Sequence, residues 1–420
     1  MASQRLARVG KALRLRVGAA YLGGGKWAEN AVLEFCEGRI AGLHPDCTTQ
    51  PGEADFSRTL ALPGLVNAHI HLEFSHFRLA RPTTFTGWLI SFVQFRESCT
   101  EQDWLRGSRE GIEEVLASGT TFVGNHVTFA WPLEPVARCG LRAIQFAEAL
   151  GLAPLRLDQD RKKIEKYEAE IPRLGGRVDL GYAPHTPYSL ESRFLCEMVS
   201  RARRAKTRIS IHVSESPEEI EFMQRGSGIM GDLFRRWEFV PSNWKPPGKS
   251  PVAYLADLGV LGPDVAAIHC NYLSDDDIEM LRRTGTSVIF CPRSHEYFGH
   301  KNHPLRRLRA AGVVACLATD SRASNDALDM RSEMRRVREL FPELMPTEIW
   351  ELATTQAAKA IGRAGWLGVL RPGAAADVAL FRDPGAMPAD RLEALLDNSA
   401  APCVATFVAG EQLWPGAGTP

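Results

Sequence analysis

The sequence has no apolar run of about 18 residues, so it predicts no helix that spans a membrane. It has no excess of charge, since 50 lysine and arginine residues balance 50 aspartate and glutamate residues, which argues against a nucleic-acid binder with a broad cationic face. Its nine cysteines form no CxxC pair, which favours reduced thiols over a disulfide framework. The basic N-terminus lacks an apolar segment, so no secretory signal is expected. We therefore expect a cytoplasmic protein without a membrane or nucleic-acid partner.

Length and composition are those of a folded protein with a large core, at 420 residues, 45% hydrophobic and 24% charged. Residues 1–60 form short alternating stretches broken by glycine and proline, a pattern typical of β-structure. From 61 to 368, short apolar runs alternate with amphipathic helical stretches, and from 369 the β pattern returns. The length fits one large α/β barrel with a small additional domain, or two to three domains.

Eight apolar runs in the middle zone predict buried strands of a parallel sheet. They span residues 60–71, 120–128, 141–150, 177–187, 208–215, 265–273, 287–294 and 313–321. Most neighbouring runs leave room for a helix between them, and eight such strands favour a closed (β/α)8 barrel. A doubly wound open sheet is the alternative. The lack of a GxGxxG after the first run counts against that sheet without excluding it.

Ionisable residues lie at the C-terminal end of six of these runs, where barrel enzymes build their active sites. His69 and His71 are two positions apart on a strand, so both side chains face one side and could meet one cation. His212, His269 and Asp320 end the fifth, sixth and eighth runs. The desolvation cost of so many ionisable groups at one rim indicates chemistry or ligand binding there.

The chemistry that these residues suit is that of a catalytic metal. The imidazoles of the His-x-His pair and of His212, with the Asp320 carboxylate, suit Zn²⁺ or Fe²⁺ and leave a position for water. Such an ion lowers the pKa of its bound water towards about 7. Glu215 could then move protons, and His269 could orient or deprotonate the water. Taken singly, each residue is equally compatible with a structural hydrogen bond.

The strings LPGLVNAHIHLE, APHTPYS, IHVSE, AIHCNYL and ATDSRASND, in this order, resemble the amidohydrolase superfamily. The closer likeness is to its metal-dependent deaminase and chlorohydrolase branch, which includes cytosine, guanine and S-adenosylhomocysteine/methylthioadenosine deaminases. The string LGVLRPGAAADVALF is similar to the family's return into a small β-sandwich shared with the N-terminal strands. The resemblance therefore implies a composite sandwich of residues 1–60 and 369–420 around a metal-binding barrel of residues 61–368.

The resemblance also implies residue roles. The positions that match the ligands of one divalent ion, Zn²⁺ preferred and Fe²⁺ as the alternative, are His69, His71, His212 and Asp320. Glu215 matches the glutamate that protonates a ring nitrogen, and His269 matches the histidine near the metal-bound water, whose proton it accepts with Asp320. No lysine ends the fourth run, so the bridging carboxylated lysine of binuclear members has no counterpart and one ion is expected.

Three candidate substrate contacts follow from the same resemblance. His185 in APHTPYS matches a substrate-contacting histidine. Glu97 lies nine residues after Trp88, an offset similar to that of the ribose-binding glutamate of adenosine-type deaminases, although a solvated helix charge explains it equally well. Glu148 ends the third run, where homocysteine-type deaminases tend to carry an arginine for the amino-acid carboxylate. That departure counts against S-adenosylhomocysteine as the substrate.

The strings HLEFSHF, NWKPPGKSPVAYL and CPRSHEYFGHKNHPL resemble a narrower group, the aminodeoxyfutalosine deaminases of the alternative menaquinone pathway. Arg293 and His295, with Lys301, lie on the seventh βα loop and could meet the aryl-carboxylate of such a substrate. His76 and His126 fit either a substrate contact or a structural hydrogen bond. The other histidines of the seventh loop, His300 and His303, read as loop residues.

We therefore expect a hydrolytic deaminase in which metal-bound hydroxide attacks C6 of an adenine nucleoside such as aminodeoxyfutalosine or methylthioadenosine and ammonia leaves. Its partners would be a small heterocyclic substrate and water, and a homodimer is compatible with the resemblance. The alternatives are a guanine or cytosine deaminase or a triazine-type chlorohydrolase, which share the same metal ligands. A non-enzymatic scaffold of the same fold is a further alternative, although such a protein would be expected to have lost ligands.

Overall fold

The structure, a computed structural model, describes residues 13–48, 50–78, 84–128, 133–152, 154–397 and 399–415. Its strands are β1 (Leu13–Gly23), β2 (Lys26–Glu29), β3 (Val32–Cys36), β4 (Arg39–His44), β5 (Ala54–Pro63), β6 (Leu65–Ile70), β7 (Thr120–Val127), β8 (Arg142–Ala149), β9 (Val178–Pro184), β10 (Ile209–Val213), β11 (Val265–His269), β12 (Ser287–Phe290), β13 (Ala315–Leu317), β14 (Val378–Arg382), β15 (Cys403–Val408) and β16 (Glu411–Trp414).

The α-helices are α1 (Phe85–Ser98), α2 (Glu101–Ala117), α3 (Leu133–Cys139), α4 (Pro154–Leu174), α5 (Ser192–Arg204), α6 (Pro217–Arg225), α7 (Gly228–Arg236), α8 (Pro251–Asp257), α9 (Asp275–Thr284), α10 (Pro292–Tyr297), α11 (Leu305–Ala310), α12 (Met330–Leu340), α13 (Pro346–Leu352), α14 (Thr355–Ala360) and α15 (Arg391–Ala394). Within the described ranges, none of them is both long and apolar enough to cross a lipid bilayer.

Strands β6 to β13 form one parallel sheet in sequence order. Each of the eight apolar runs contains one of these strands, and every residue of β6 and β7 is buried, as expected for strands covered on both faces. At the C-terminal rim, the backbone N–H of Asp320 donates to the carbonyl of His69 at 3.2 Å and brings the end of the sheet back to its start. The predicted (β/α)8 barrel is confirmed.

The helix after β10 begins and ends at residues that the sequence marks. The Ser216 side chain accepts a hydrogen bond from the backbone N–H of Glu219 at 3.2 Å, and Pro217 occupies the first turn of α6. The helix ends at Gly226, which has a left-handed φ of 69°. The cap at Ser216 fixes where α6 begins and therefore the length of the loop that leaves β10, and this loop carries one of the candidate catalytic residues.

The other sheet is built from both ends of the described chain. Its order is β16-β15-β14-β5-β1-β3-β4, with β2 beside β1, so that β5 lies between β1 and β14. The chain passes from β5 into the first barrel strand through Gly64. A Cβ atom at this position would lie 2.1 Å from Oγ1 of Thr121. The junction of the two sheets therefore requires glycine.

One buried ion pair links the barrel to the β14 end of the other sheet. Nε of Arg142, on β8, lies 2.8 Å from Oδ2 of Asp377, and the two side chains are 12% and 2% exposed. We expect Arg142→Ala to lower the free energy of unfolding by about 3 kcal/mol, because it leaves the Asp377 carboxylate buried without its cation. Urea denaturation measures the loss. As a control, Arg363→Ala removes an exposed pair with Asp179 and should cost less than about 1 kcal/mol. Equal losses in the two variants would contradict the prediction.

Candidate active site

Four histidine rings meet at the C-terminal end of the barrel strands. One nitrogen from each of His69, His71, His126 and His212 lies within 4.8 Å of the others. Oδ1 of Asp320 lies 3.4 Å from Nε2 of His69. The structure therefore brings together all four residues that the sequence proposes as metal ligands, although they span 251 positions of the chain from 69 to 320.

The polar atoms of this cluster fit a cation. Both ring nitrogens of His69 and Nδ1 of His71 are buried without a hydrogen-bond partner among the described residues. Nδ1 of His212 lies 2.9 Å from the carbonyl of His185; a carbonyl only accepts, so Nδ1 carries the proton and Nε2 keeps its lone pair. Burial lowers the pKa of His71 to about 4 and that of His212 well below its usual value, so both rings are neutral. Neutral imidazoles with one carboxylate suit a borderline-soft divalent ion.

The carboxylate of Asp320 is held in place by two hydroxyl groups. The side chains of Ser294 and Ser324 donate to its Oδ2 at 2.9 and 2.7 Å, which leaves Oδ1 on the side of His69. Burial alone would raise the pKa of Asp320, but its contact with His69 lowers that pKa well below the ordinary value. Asp320 is therefore ionised, as a metal ligand must be.

A second group that could hold an ion shares one residue with the first. Glu148, His185 and His212 also place one ligand atom each within 4.8 Å of one another. Because Nδ1 of His212 is occupied by the carbonyl of His185, the ring has a single nitrogen left to bind an ion. The two groups therefore cannot be filled together through His212, which is in keeping with the expectation of one ion.

His126, which the sequence left open, lies on the inner side of the cluster with its ring 4.4 Å from that of His69. Its Nε2 is 2.9 Å from Oγ of Ser210, and its Nδ1 is 3.5 Å from Oε1 of Glu148. Its position at the end of the second apolar run is the same signal that marks the candidate ligands His69, His212 and Asp320. His76 lies outside this cluster, and its Nδ1 is 3.1 Å from the carbonyl of Glu73.

The two candidate acid–base groups face each other beside the cluster. Oε1 of Glu215 lies 3.5 Å from Nε2 of His269, with the side chains 12% and 3% exposed. Burial, together with the charge of Asp320, raises the pKa of Glu215 well above its usual value. Burial lowers the pKa of His269 to about 3. The raised pKa of Glu215 favours a protonated carboxyl group, which can donate a proton, and the lowered pKa of His269 leaves a neutral imidazole, which can accept one.

Three residues at the ends of barrel strands around the site have a left-handed backbone conformation. Ser214, His269 and Asp320 have φ values of 54°, 67° and 57°, a region that non-glycine residues seldom adopt. The carboxylate of Glu219 holds the first turn by accepting the backbone N–H groups of Ser214 and Glu215 at 2.9 and 2.7 Å. The sequence analysis did not identify Glu219. Its spacing of three residues after Ser216 is a helix-capping signal that could have drawn attention to it.

A cavity of about 650 Å³ opens onto the cluster. The predicted substrate contacts Glu97, Glu148 and His185 line it. Aromatic rings form much of its wall, including Trp88 and Phe92, which stack at 5.1 Å. The remaining aromatic rings of the wall are those of Phe74, Phe85, Tyr188, Phe234, Trp237 and Phe239. The cavity is large enough for a nucleoside-sized ligand, and its flat apolar walls suit a heterocycle.

The sequence model of the amidohydrolase family matches residues 60–412. The chain belongs to the amidohydrolase family. This confirms the superfamily resemblance and, with it, the prediction of a hydrolase that acts on carbon–nitrogen bonds other than peptide bonds.

Named relatives of this amidohydrolase are deaminases. A 5-methylthioadenosine/S-adenosylhomocysteine deaminase of Pyrococcus furiosus is 30% identical over 363 residues, covering 82% of this chain and 81% of that protein. A 5′-deoxyadenosine deaminase of Methanothermobacter thermautotrophicus is 30% identical over 359 residues, covering 80% of this chain and 77% of that protein. An adenosine deaminase from Xanthomonas campestris with bound zinc superposes with a TM-score of 0.78 over 95% of this chain and 92% of that one; at 22% identity, this shows a shared fold.

Two predicted substrate contacts of the amidohydrolase are not among the described residues that line the main cavity. Arg293 lines a separate cavity of about 380 Å³ and forms an ion pair with Asp326. His295 is 4% exposed and packs edge-on against Phe290. The physical reason is that the seventh βα loop folds into α10, and this helix places both side chains outside the main cavity. Two other cations, Arg96 and Arg156, line the main cavity instead, and the sequence analysis missed them.

Proposed function

We propose that this amidohydrolase is a metal-dependent hydrolytic deaminase of an adenine nucleoside-type substrate. The observation that carries the proposal is the Glu215–His269 pair, 3.5 Å apart beside a cluster of histidines and Asp320 at one end of a nucleoside-sized cavity. The relatives named as methylthioadenosine/S-adenosylhomocysteine and 5′-deoxyadenosine deaminases support the adenine nucleoside as the substrate class.

In this proposal, one divalent ion is held by His69, His71, His212 and Asp320. Zinc is the preferred ion, because imidazole and carboxylate ligands suit it and because a protein of the same fold binds zinc. When bound, the ion supplies a water molecule that is activated for attack at neutral pH.

The protein's own residues move the protons of the reaction. Glu215 donates its proton to the ring nitrogen next to the carbon that bears the amino group, which makes that carbon more electrophilic. His269 and Asp320 accept the proton of the attacking water as the new carbon–oxygen bond forms. The amino nitrogen then takes this proton from them, and the carbon–nitrogen bond breaks so that ammonia leaves. The hydroxyl group on the attacked carbon returns a proton to Glu215 and becomes a carbonyl group. Because the Glu215 side chain is 12% exposed, bulk water has little access to its proton.

The walls of the cavity suit the remainder of a nucleoside. The aromatic side chains can stack on the base, and the Glu97 carboxylate can accept hydrogen bonds from the hydroxyl groups of a ribose. Arg96 and Arg156 add two guanidinium groups to the same wall, which suit a carboxylate on the far part of the substrate. We therefore favour aminodeoxyfutalosine, whose tail bears an aryl-carboxylate, over methylthioadenosine, whose tail has no charge.

A release screen on metal-loaded protein tests this proposal. Ammonia would be measured with adenosine, methylthioadenosine, S-adenosylhomocysteine, aminodeoxyfutalosine, guanine and cytosine, and chloride with a chlorinated triazine. We expect the highest kcat/KM with an adenine nucleoside. A preference for guanine, cytosine or the triazine would replace the proposal with one of those activities. No release from any compound, together with the absence of a stoichiometric ion, would favour a scaffold protein.

The two arginines that line the cavity, Arg96 and Arg156, lead to a prediction about substrate affinity. We expect Arg96→Ala to raise KM about tenfold for aminodeoxyfutalosine, because the carboxylate loses a charge-assisted hydrogen bond. KM for adenosine, which has no carboxylate, should change less than about twofold. Steady-state ammonia release measures both constants. Arg109→Ala, at an exposed position on α2, is the matched loss of charge and should change neither. Equal changes for both substrates would rule out the carboxylate contact.

A further inference from the structure

Three histidines of the seventh βα loop pack behind the active site, although the sequence predicts a substrate contact for His295 and ordinary loop residues for His300 and His303. His295 and His303 are 4% and 5% exposed, with ring centres 5.9 Å apart. The half-buried His300 lies 5.5 Å from His295, and its Nδ1 is 2.9 Å from the hydroxyl of Tyr272. Only His303 of these three has a hydrogen bond to His269 in the described part of the chain.

The contact of His303 is with the backbone. Its Nε2 lies 2.9 Å from the carbonyl oxygen of His269. A carbonyl oxygen can only accept, so Nε2 must carry the ring proton. Burial lowers the pKa of His303 to about 3, so the ring is neutral and this N–H is its only one. The ring also stacks on Phe290, with centres 3.6 Å apart and planes 16° apart, which fixes its orientation.

The peptide group that accepts this bond lies in a strained turn. His269 and Cys270 have consecutive left-handed φ values of 67° and 52°. The carbonyl of this peptide group is held by His303, and its N–H, which belongs to Cys270, donates to the carbonyl of Val213 at 2.9 Å. Bonds on opposite edges fix the plane of the peptide, and the plane sets the direction in which the His269 side chain leaves the backbone.

We propose that His303 is a positioning residue for His269. By holding the His269 carbonyl, it keeps the His269 imidazole within 3.5 Å of Glu215 and directed at the reacting centre. The proposal rests on the proposed function to the extent that His269 is the proton acceptor there. A displacement of about 1 Å in a catalytic group can lower a rate about 10²-fold, so a bond outside the cavity can control turnover.

The test compares two substitutions of His303 whose side-chain amides differ only in their distance from the backbone. In His303→Gln, the side-chain NH₂ occupies roughly the place of Nε2 and can still donate to the His269 carbonyl. In His303→Asn, the NH₂ lies near the place of Nδ1 and cannot. We expect His303→Asn to lower kcat by about 10- to 100-fold with KM changed less than about threefold. His303→Gln should restore kcat to within about threefold of the wild-type value.

The controls separate positioning from packing and from the proposed function. His300→Gln alters another imidazole of the same loop and should leave kcat unchanged. Elemental analysis should find the same amount of bound metal in all variants. Crystal structures of both His303 variants give an answer that does not depend on activity. In His303→Asn, the Glu215–His269 distance should exceed 3.5 Å and φ of His269 should leave the left-handed region.

The proposal is overturned if Gln and Asn lower kcat equally, or if His269 keeps its place in the His303→Asn structure. A wild-type protein that releases ammonia from no compound would refute the proposed function instead, and the two crystal structures would still decide whether His303 positions His269.

Discussion

Replacing Glu215 with glutamine should lower kcat about 10³-fold while the protein keeps its metal. Burial raises the pKa of the Glu215 carboxyl group well above its ordinary value, which favours the protonated form, and its Oε1 lies 3.5 Å from Nε2 of His269. The glutamine amide has nearly the same shape but cannot give up a proton to a ring nitrogen. Since Glu215 is not among the proposed ligands, the metal content measured by elemental analysis should stay at the wild-type level.

A neighbouring glutamate provides the matched control for this prediction. Glu218→Gln makes the same chemical change three residues later, at a half-buried position that does not line the main cavity. It should leave kcat within about twofold of the wild-type value, as a surface substitution away from the site would. A Glu215→Gln protein with near-normal kcat would remove Glu215 from the mechanism and leave proton donation to another group.

Replacing His69 with alanine should abolish metal binding and lower kcat by more than about 10³-fold. His69 is fully buried at the centre of the cluster, and its ring lies within 5.0 Å of those of His71 and His212. A ligand bound only by the folded state adds to its stability, so loss of the ion should also lower Tm. Elemental analysis, ammonia release and thermal unfolding measure the three effects.

Chelation distinguishes loss of the ion from damage to the fold. EDTA should lower Tm of the wild-type protein towards that of His69→Ala, whereas His69→Ala itself should not respond to EDTA. His44→Ala, at an exposed histidine at the end of β4, should behave as the wild type. A stoichiometric ion in His69→Ala with near-normal turnover would contradict the assignment of His69 as a ligand.

The sequence predicted the barrel and the clustering of the candidate ligands because both follow from local rules. A buried parallel strand is a short apolar run, and a catalytic residue of such a barrel stands where its run ends. These two rules located His69, His71, His212, His269 and Asp320 without any knowledge of which residues touch. The structure then placed His69 against Asp320 at 3.4 Å.

These local rules could not predict contacts between residues that are distant in the sequence. The hydrogen bond from His303 to His269 joins residues 34 positions apart, and nothing in either string marks the other. Arg293 follows a strand end and looked equally eligible, but α10 carries it to a separate cavity. Arg96 lies near the end of α1, in the mostly apolar stretch FTGWLISFVQFRES, and only the packing of α1 over the barrel mouth makes it a wall residue.

The position of β5 has a consequence for the order in which the chain can fold. This strand is synthesised before the barrel strands, yet one of its two edges pairs with β14, which lies more than 300 residues later. Throughout the synthesis of the intervening barrel, that edge offers free backbone donors and acceptors beside apolar side chains such as Leu60 and Leu62. We therefore expect the growing chain to need a chaperone or a temporary partner strand at this edge until β14 has been synthesised.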